Sequence, residues 1–183
     1  MTNIDTLVDE LIKREGGYVN NPNDKGGATN YGITIARARA FGYTGAMQQL
    51  PRSLAVTIYK ELYWAAPHFD QIAQVMPTLA AELFDIGANM GQTVAGKFVQ
   101  RALNVLNNNG RDYPDISVDG ILGKVSQYAL NQFKGKRGAN AETVLLRMVI
   151  AQKAVRYMSI AEANPSQETF EYGWVFNRVG DIR

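Results

Sequence analysis

Apolar residues recur at helical spacing along almost the whole chain, and one polar stretch in the first half interrupts them. Ile4, Leu7, Val8, Leu11 and Ile12 fall three and four apart, predicting a helix that Gly16-Gly17 stops. Residues 18–33 are rich in Asn, Gly, Asp and Tyr. They read as turns with a short hairpin around Asp24-Lys25-Gly26-Gly27. Thr34 can cap a short helix through about Phe41. Pro51 opens another to Trp64, with Leu54, Ile58 and Leu62 on one face, and Pro77 opens a third with Leu79, Leu83 and Ile86 inward.

Beyond Gly91-Gln92-Thr93, residues 94–106 are again helical, and residues 107–114 form a loop. Leu122 to Phe133 is predicted helical, Lys134 to Gly138 a basic loop, and Asn140 the cap of a long helix through Ala161. Asn164-Pro165 ends that helix, and a last one carries Phe170, Trp174 and Phe176. The expected fold class is therefore mainly α, with a small β-hairpin or loop region near residues 18–33.

Composition narrows the chemistry more than the fold. The 183 residues fit one globular domain or two small ones, with no internal repeat. The absence of cysteine excludes disulfides, zinc–thiolate sites and a thiol nucleophile. A single histidine, His68, with no H-E-x-x-H pattern, leaves no basis for a zinc hydrolase, and neither metal nor cofactor is expected. No G-x-S-x-G elbow, P-loop or dinucleotide fingerprint occurs. Any catalysis falls mainly to carboxylates, and His68 is expected to be structural.

The first ten residues lack a basic n-region and an apolar h-region, and no apolar run is long enough for a membrane span. A soluble protein made in the cytoplasm, acting as a monomer, is expected. Net charge is only +2, but seven basic residues from Lys124 to Arg156 face a single acid, Glu142. That stretch reads either as a contact for anionic envelope polymers or as a solvated helix face with a basic loop. No nucleic-acid partner is expected.

The first helix carries the strongest candidate. Glu15 lies about three turns after Ile4, on the apolar face and one turn beyond Leu11. Partial desolvation and the negative end of the helix dipole both favour a protonated carboxyl there, as a general acid requires. Gly16-Gly17 leaves room for a substrate to approach. Asp24 follows after eight intervening residues, in a polar loop where a carboxylate stays ionised. One neutral and one charged carboxyl is the division of labour in glycoside hydrolysis. Thr29 and Asn30, further along, could hold a water beside Asp24. Tyr18, Tyr31, Trp64, Tyr172 and Trp174 could stack on sugar rings, although aromatics at helical spacing also build cores.

The run from Glu15 through Gly-Gly-Tyr-Val-Asn-Asn-Pro-Asn-Asp24-Lys-Gly-Gly-Ala-Thr-Asn-Tyr-Gly-Ile to Thr34 closely resembles the signature of glycoside hydrolase family 108. This family includes phage endolysins related to the phage-type lysozymes. The resemblance implies a lysozyme-like helical fold and hydrolysis between N-acetylmuramic acid and N-acetylglucosamine in bacterial peptidoglycan. It implies Glu15 as proton donor; from the residues themselves, Asp24 and Thr29 are the candidates to complete the catalytic set and Asn30, Tyr31 and Tyr18 the candidates to bind substrate. The phage-type pattern is Glu, eight residues, Asp or Cys, five residues, Thr. Here Thr29 comes after four residues and Asn30 occupies the five-residue position, so the third member is either of the two.

The stretch Asp119-Gly-Ile-Leu-Gly123-Lys-Val-Ser-Gln-Tyr-Ala-Leu130 looks like a motif of peptidoglycan-binding modules. It also reads as an ordinary turn and helix that complete a core. The expected organisation is a catalytic region over residues 1–91 and a peptidoglycan-binding-like helical region over 92–183, packed into the same compact unit. An endolysin reaches the wall when released by a holin or applied from outside. A lytic transglycosylase relying on Glu15 alone and a non-enzymatic wall-binding protein are the alternatives.

Overall fold

The computed structural model describes residues 3–20 and 27–179. It is mainly α, a lysozyme-like fold with one small two-stranded antiparallel sheet. The chain divides into two compact units, Met1–Pro77 and Thr78–Arg183. Among the described residues no helix is long and apolar enough to cross a membrane.

In the first unit, Asn3 caps α1 (Ile4–Glu15) by accepting a hydrogen bond from the Asp5 N–H at 2.9 Å. Val8, Leu11 and Ile12 are buried, as the periodicity predicts. Gly16 ends the helix at φ +79°, with its N–H on the Ile12 carbonyl. Strand β1 (Thr29–Asn30) pairs with β2 (Ile33–Thr34) in an antiparallel hairpin. Its two-residue turn is Tyr31-Gly32, both with positive φ (+54° and +72°) as a tight primed turn requires. Sequence reasoning looked for a hairpin around Asp24–Gly27, and of those residues Asp24, Lys25 and Gly26 lie outside the described ones.

Thr34 caps α2 (Ile35–Ala40), its hydroxyl oxygen accepting from the Arg37 N–H at 3.3 Å. Helix α3 (Arg52–Tyr59) runs directly into a π-helical turn, Lys60–Ala65, before α4 (Phe69–Ala73). Ile58 is buried as expected, but Leu54 and Leu62 are only half-buried, and the rest of the inward face is Ala55, Tyr59, Tyr63 and Trp64. A π turn adds a residue and shifts the phase of everything that follows it. His68 precedes α4 in a left-handed conformation, φ +63°, with Nδ1 3.2 Å from Gln71 Nε2.

The second unit contains α5 (Pro77–Met90), α6 (Gln92–Leu106), α7 (Lys124–Arg137), α8 (Ala141–Ala163) and α9 (Glu168–Arg178). Helix α8 packs against α6, α7 and α9. Leu79, Leu83 and Ile86 of α5 are fully buried, as expected. Each such side chain contributes about 1.5–3 kcal/mol of hydrophobic stabilisation.

Three expectations about the basic stretch are corrected. Lys134 to Arg137 is the last turn of α7 rather than a loop, since Lys and Arg are good helix formers and favour the negative helix end. Asn140 makes no side-chain cap, because a 3₁₀ turn, Gly138–Asn140, leads straight into α8. Lys153 is fully buried, and its Nζ donates to Glu82 Oε1 and Asp85 Oδ2 of α5, 2.8 Å each. Glu142, the one acid of that stretch, accepts from the Thr78 and Leu79 N–H groups and caps α5.

The Asp119–Gly123 turn is held by Gln100, which is buried in α6. The Gln100 amide donates to Asp119 Oδ1 at 2.8 Å, and its Oε1 accepts from the Gly120 N–H at 2.7 Å. The Ile121 N–H and then Gln100 bond Asp119 and hold its carboxyl below the usual range. Gly120 has φ +87°, and a Cβ on Gly96 would lie 2.1 Å from its carbonyl oxygen. This segment is thus a turn locked onto a helix.

Candidate active site

Glu15 is the last residue of α1, beside the hairpin turn. A Cβ on Gly32 would fall 3.0 Å from Glu15 Cγ and 2.5 Å from the Tyr59 hydroxyl. The turn backbone therefore rests directly on the stem of the glutamate and on the end of the tyrosine. Only glycine meets both the positive φ and the close approach here. Tyr59 comes from α3, and its hydroxyl donates to the Tyr31 carbonyl at 2.9 Å, pinning the turn. Burial, then the nearby charge of Glu15, pushes the Tyr59 hydroxyl well above the ordinary tyrosine value of 10. It therefore remains a hydrogen-bond donor throughout the neutral range.

The next residues extend this edge. Tyr63, from the π turn, packs 5.3 Å from the Tyr59 ring at 51°, and the Arg37 guanidinium sits 5.4 Å above the Tyr63 ring. Four elements, α1, the hairpin, α2 and α3 with its π turn, thus converge on one carboxyl, two phenols and a guanidinium. Sequence reasoning missed Tyr59, Tyr63 and Arg37. Tyr59 and Tyr63 are spaced as one helix face, which from sequence alone reads as core.

Glu15 itself is exposed, so the partial desolvation expected of it is not what the structure shows. It sits past the buried stripe, which ends at Leu11 and Ile12. Thr29 is half-buried in β1, where it exchanges backbone hydrogen bonds with Val19 at 2.9 and 2.8 Å. Asn30 points to the opposite side of the same strand, is buried, and donates from its amide to the Met47 carbonyl at 2.8 Å. Tyr18 is exposed and Tyr31 half-buried. Asp24 lies outside the described residues. Trp64 is buried, whereas Tyr172 is exposed on α9 and Trp174 stacks on Tyr157 at 5.3 Å.

Replacing Gly32 by alanine should lower both glycan cleavage and thermal stability. An alanine at φ +72° costs about 1–2 kcal/mol in strain before any clash with Tyr59 is relieved. Gly17→Ala, also near Glu15 but in open space, is the control and should be close to neutral. Equal thermal midpoints and activities for the two variants would remove the turn from the site.

Residues 8–91 match the family Glycosyl hydrolase 108, and residues 94–179 match a Predicted Peptidoglycan domain. A solved structure titled "Structure of Brucella abortus SagA" is similar in fold, with a TM-score of 0.61. The likeness covers 96% of this chain and 88% of that one at 24% identity. No curated protein matches the chain. Residues 8–91 thus carry the likeness to the glycosyl hydrolase 108 family and residues 94–179 the likeness to a predicted peptidoglycan domain, a pairing that supports a peptidoglycan-degrading glycosidase.

Proposed function

We propose that the protein is an endolysin-type muramidase, cutting the β-1,4 bond from N-acetylmuramic acid to N-acetylglucosamine, with Glu15 as general acid. The observation that carries this reading is an exposed glutamate fixed against a glycine turn at the end of α1, inside a glycosyl hydrolase 108 match. Glu15 gives its proton to the glycosidic oxygen as the bond to the anomeric carbon breaks. Water then attacks that carbon from the opposite face, passing its proton to Asp24, and the anomeric configuration inverts. The oxygen of Thr29 is the better partner for that water, since the Asn30 amide is already committed to Met47. Arg37 and the Tyr59 hydroxyl give the substrate edge a cation and a fixed dipole. Tyr18 and Tyr31 supply ring faces for sugar contact. In the cell, the enzyme acts on the wall once released from the cytoplasm and lyses the host.

The test is digestion of purified peptidoglycan, with the new ends identified by mass spectrometry after borohydride reduction. Reducing N-acetylmuramic acid ends are expected. Anhydro ends would replace hydrolysis with transglycosylation, and reducing N-acetylglucosamine ends would move the cut to the other bond.

A further inference from the structure

The second unit carries a surface groove between α6 and α8 that the catalytic reading does not use. One wall is Val94, Lys97, Phe98 and Arg101, and the other is Gln152, Val155, Arg156 and Ser159. Both sets follow the i, i+3, i+4, i+7 pattern, so each helix presents one continuous face to the groove. Its volume is about 390 Å³, enough for a short peptide segment. The base is apolar, built on buried Phe98 with half-buried Val94, while Val155, Lys97, Arg101 and Arg156 are exposed around it.

No carboxylate lines this groove. Among the described residues, none of the three cations forms an ion pair. Lys97 does share its field with Asp119, which leaves Arg101 and Arg156 as the freer pair. Beneath them, the Gln152 amide donates to the Phe98 and Met148 carbonyls at 2.9 and 3.1 Å. Its Oε1 is buried and accepts from nothing among the described residues.

We propose that this groove binds the stem peptide of peptidoglycan, with Arg101 and Arg156 holding its carboxylates and the apolar floor receiving its methyl side chains. A stem peptide alternates carboxylates and methyl groups, and both have a counterpart here. Arginine suits the role because its planar fork bonds a carboxylate in two places. The proposal rests on peptidoglycan as the partner, not on Glu15 as the acid. It gives the second unit a reason to favour cross-linkable, peptide-bearing wall over bare glycan.

The experiment is calorimetric titration of the full chain with a free stem tetrapeptide, which contains no glycosidic bond and so cannot be cleaved by a glycosidase. Saturable binding is expected, weakened about tenfold or more by Arg101→Gln or Arg156→Gln at unchanged thermal midpoint. The same peptide with its carboxylates methylated should not bind. Both variants should still cut glycan stripped of its peptides at the wild-type rate. No binding of the tetrapeptide, equal binding of the methylated form, or loss of cleavage on stripped glycan would each overturn the proposal. So would tighter binding of a glycerol phosphate polymer to these arginines than of the peptide. A failure of the muramidase reading shows up separately, as wild-type protein that binds peptide but leaves stripped glycan intact.

Discussion

Glu15→Gln is expected to give a folded protein that no longer cuts glycan. Glutamine preserves the length, shape and helix propensity of glutamate but has no carboxylic proton for the leaving oxygen. General acid catalysis supplies about 10²–10⁴-fold, so the rate on purified peptidoglycan should fall at least that far. Stability should hardly change, because the side chain is exposed and buries nothing when neutralised. Removing a negative charge from the carbonyl end of α1 should, if anything, add a few tenths of a kcal/mol. Asp24→Asn should cost less activity, since an amide still orients water. Reducing ends released over time and the thermal midpoint together decide the matter. A Glu15→Gln protein with a native circular dichroism spectrum and near-wild-type activity would remove Glu15 from the role of proton donor.

The largest stability effect is expected in the second unit, at Lys153. Burial opposes its charge, but Asp85 and Glu82 outweigh that and raise its pKa above the ordinary 10.5. Lys153→Met fills similar space yet removes the cation that the two carboxylates share. Breaking a buried ion pair in this way costs about 3–5 kcal/mol. The low end applies here, because Glu82 and Asp85 keep 18% and 17% of their side-chain surface exposed. A fall in thermal midpoint on the order of 10 °C follows for a unit of this size. Adding Glu82→Gln and Asp85→Asn to Lys153→Met should recover much of the loss, as no charge is then orphaned.

The pH dependence has a definite sign. A lysine pKa that is higher in the folded state contributes stability below its unfolded value. That contribution disappears as pH rises through the folded one. The wild type should therefore show an alkaline loss of stability above about pH 10.5 that the Lys153→Met variant lacks. A single variant as stable as wild type, with the same alkaline limb, would mean the triad contributes nothing.

Lys153 also shows where sequence reasoning reaches its limit. Counting charges from Lys124 to Arg156 treats each cation as a surface group, yet this one is the most buried of the set. Its partners lie 68 and 71 residues earlier, a separation that no local pattern reveals. Glu142 is the same case, since its capping role depends on a helix start 63 and 64 residues away. What was legible was local: the apolar rhythm of α1 and α5, the Gly16 stop, and the Thr34 cap.

The site divides along the same line. Glu15 could be singled out because a contiguous motif carries it. The hairpin turn could not be, because tyrosine at position 31 is a poor marker for a positive φ and only the Tyr59 hydroxyl on its carbonyl explains it. Tyr59, Tyr63 and Arg37 belong to elements that meet only after folding.

The π turn at Lys60–Ala65 has a different kind of consequence. Because it holds one residue more than an α-helical path over the same rise, the number of residues there matters as much as their identity. Losing one would return the segment to regular phase and rotate Tyr63 and Trp64 by about 100° away from the inward face, taking the ring from beneath Arg37. Substitutions at exposed Glu61 or Ala65 leave that phase alone. In relatives that keep this edge, the exposed positions of the segment should therefore vary freely and its length not at all.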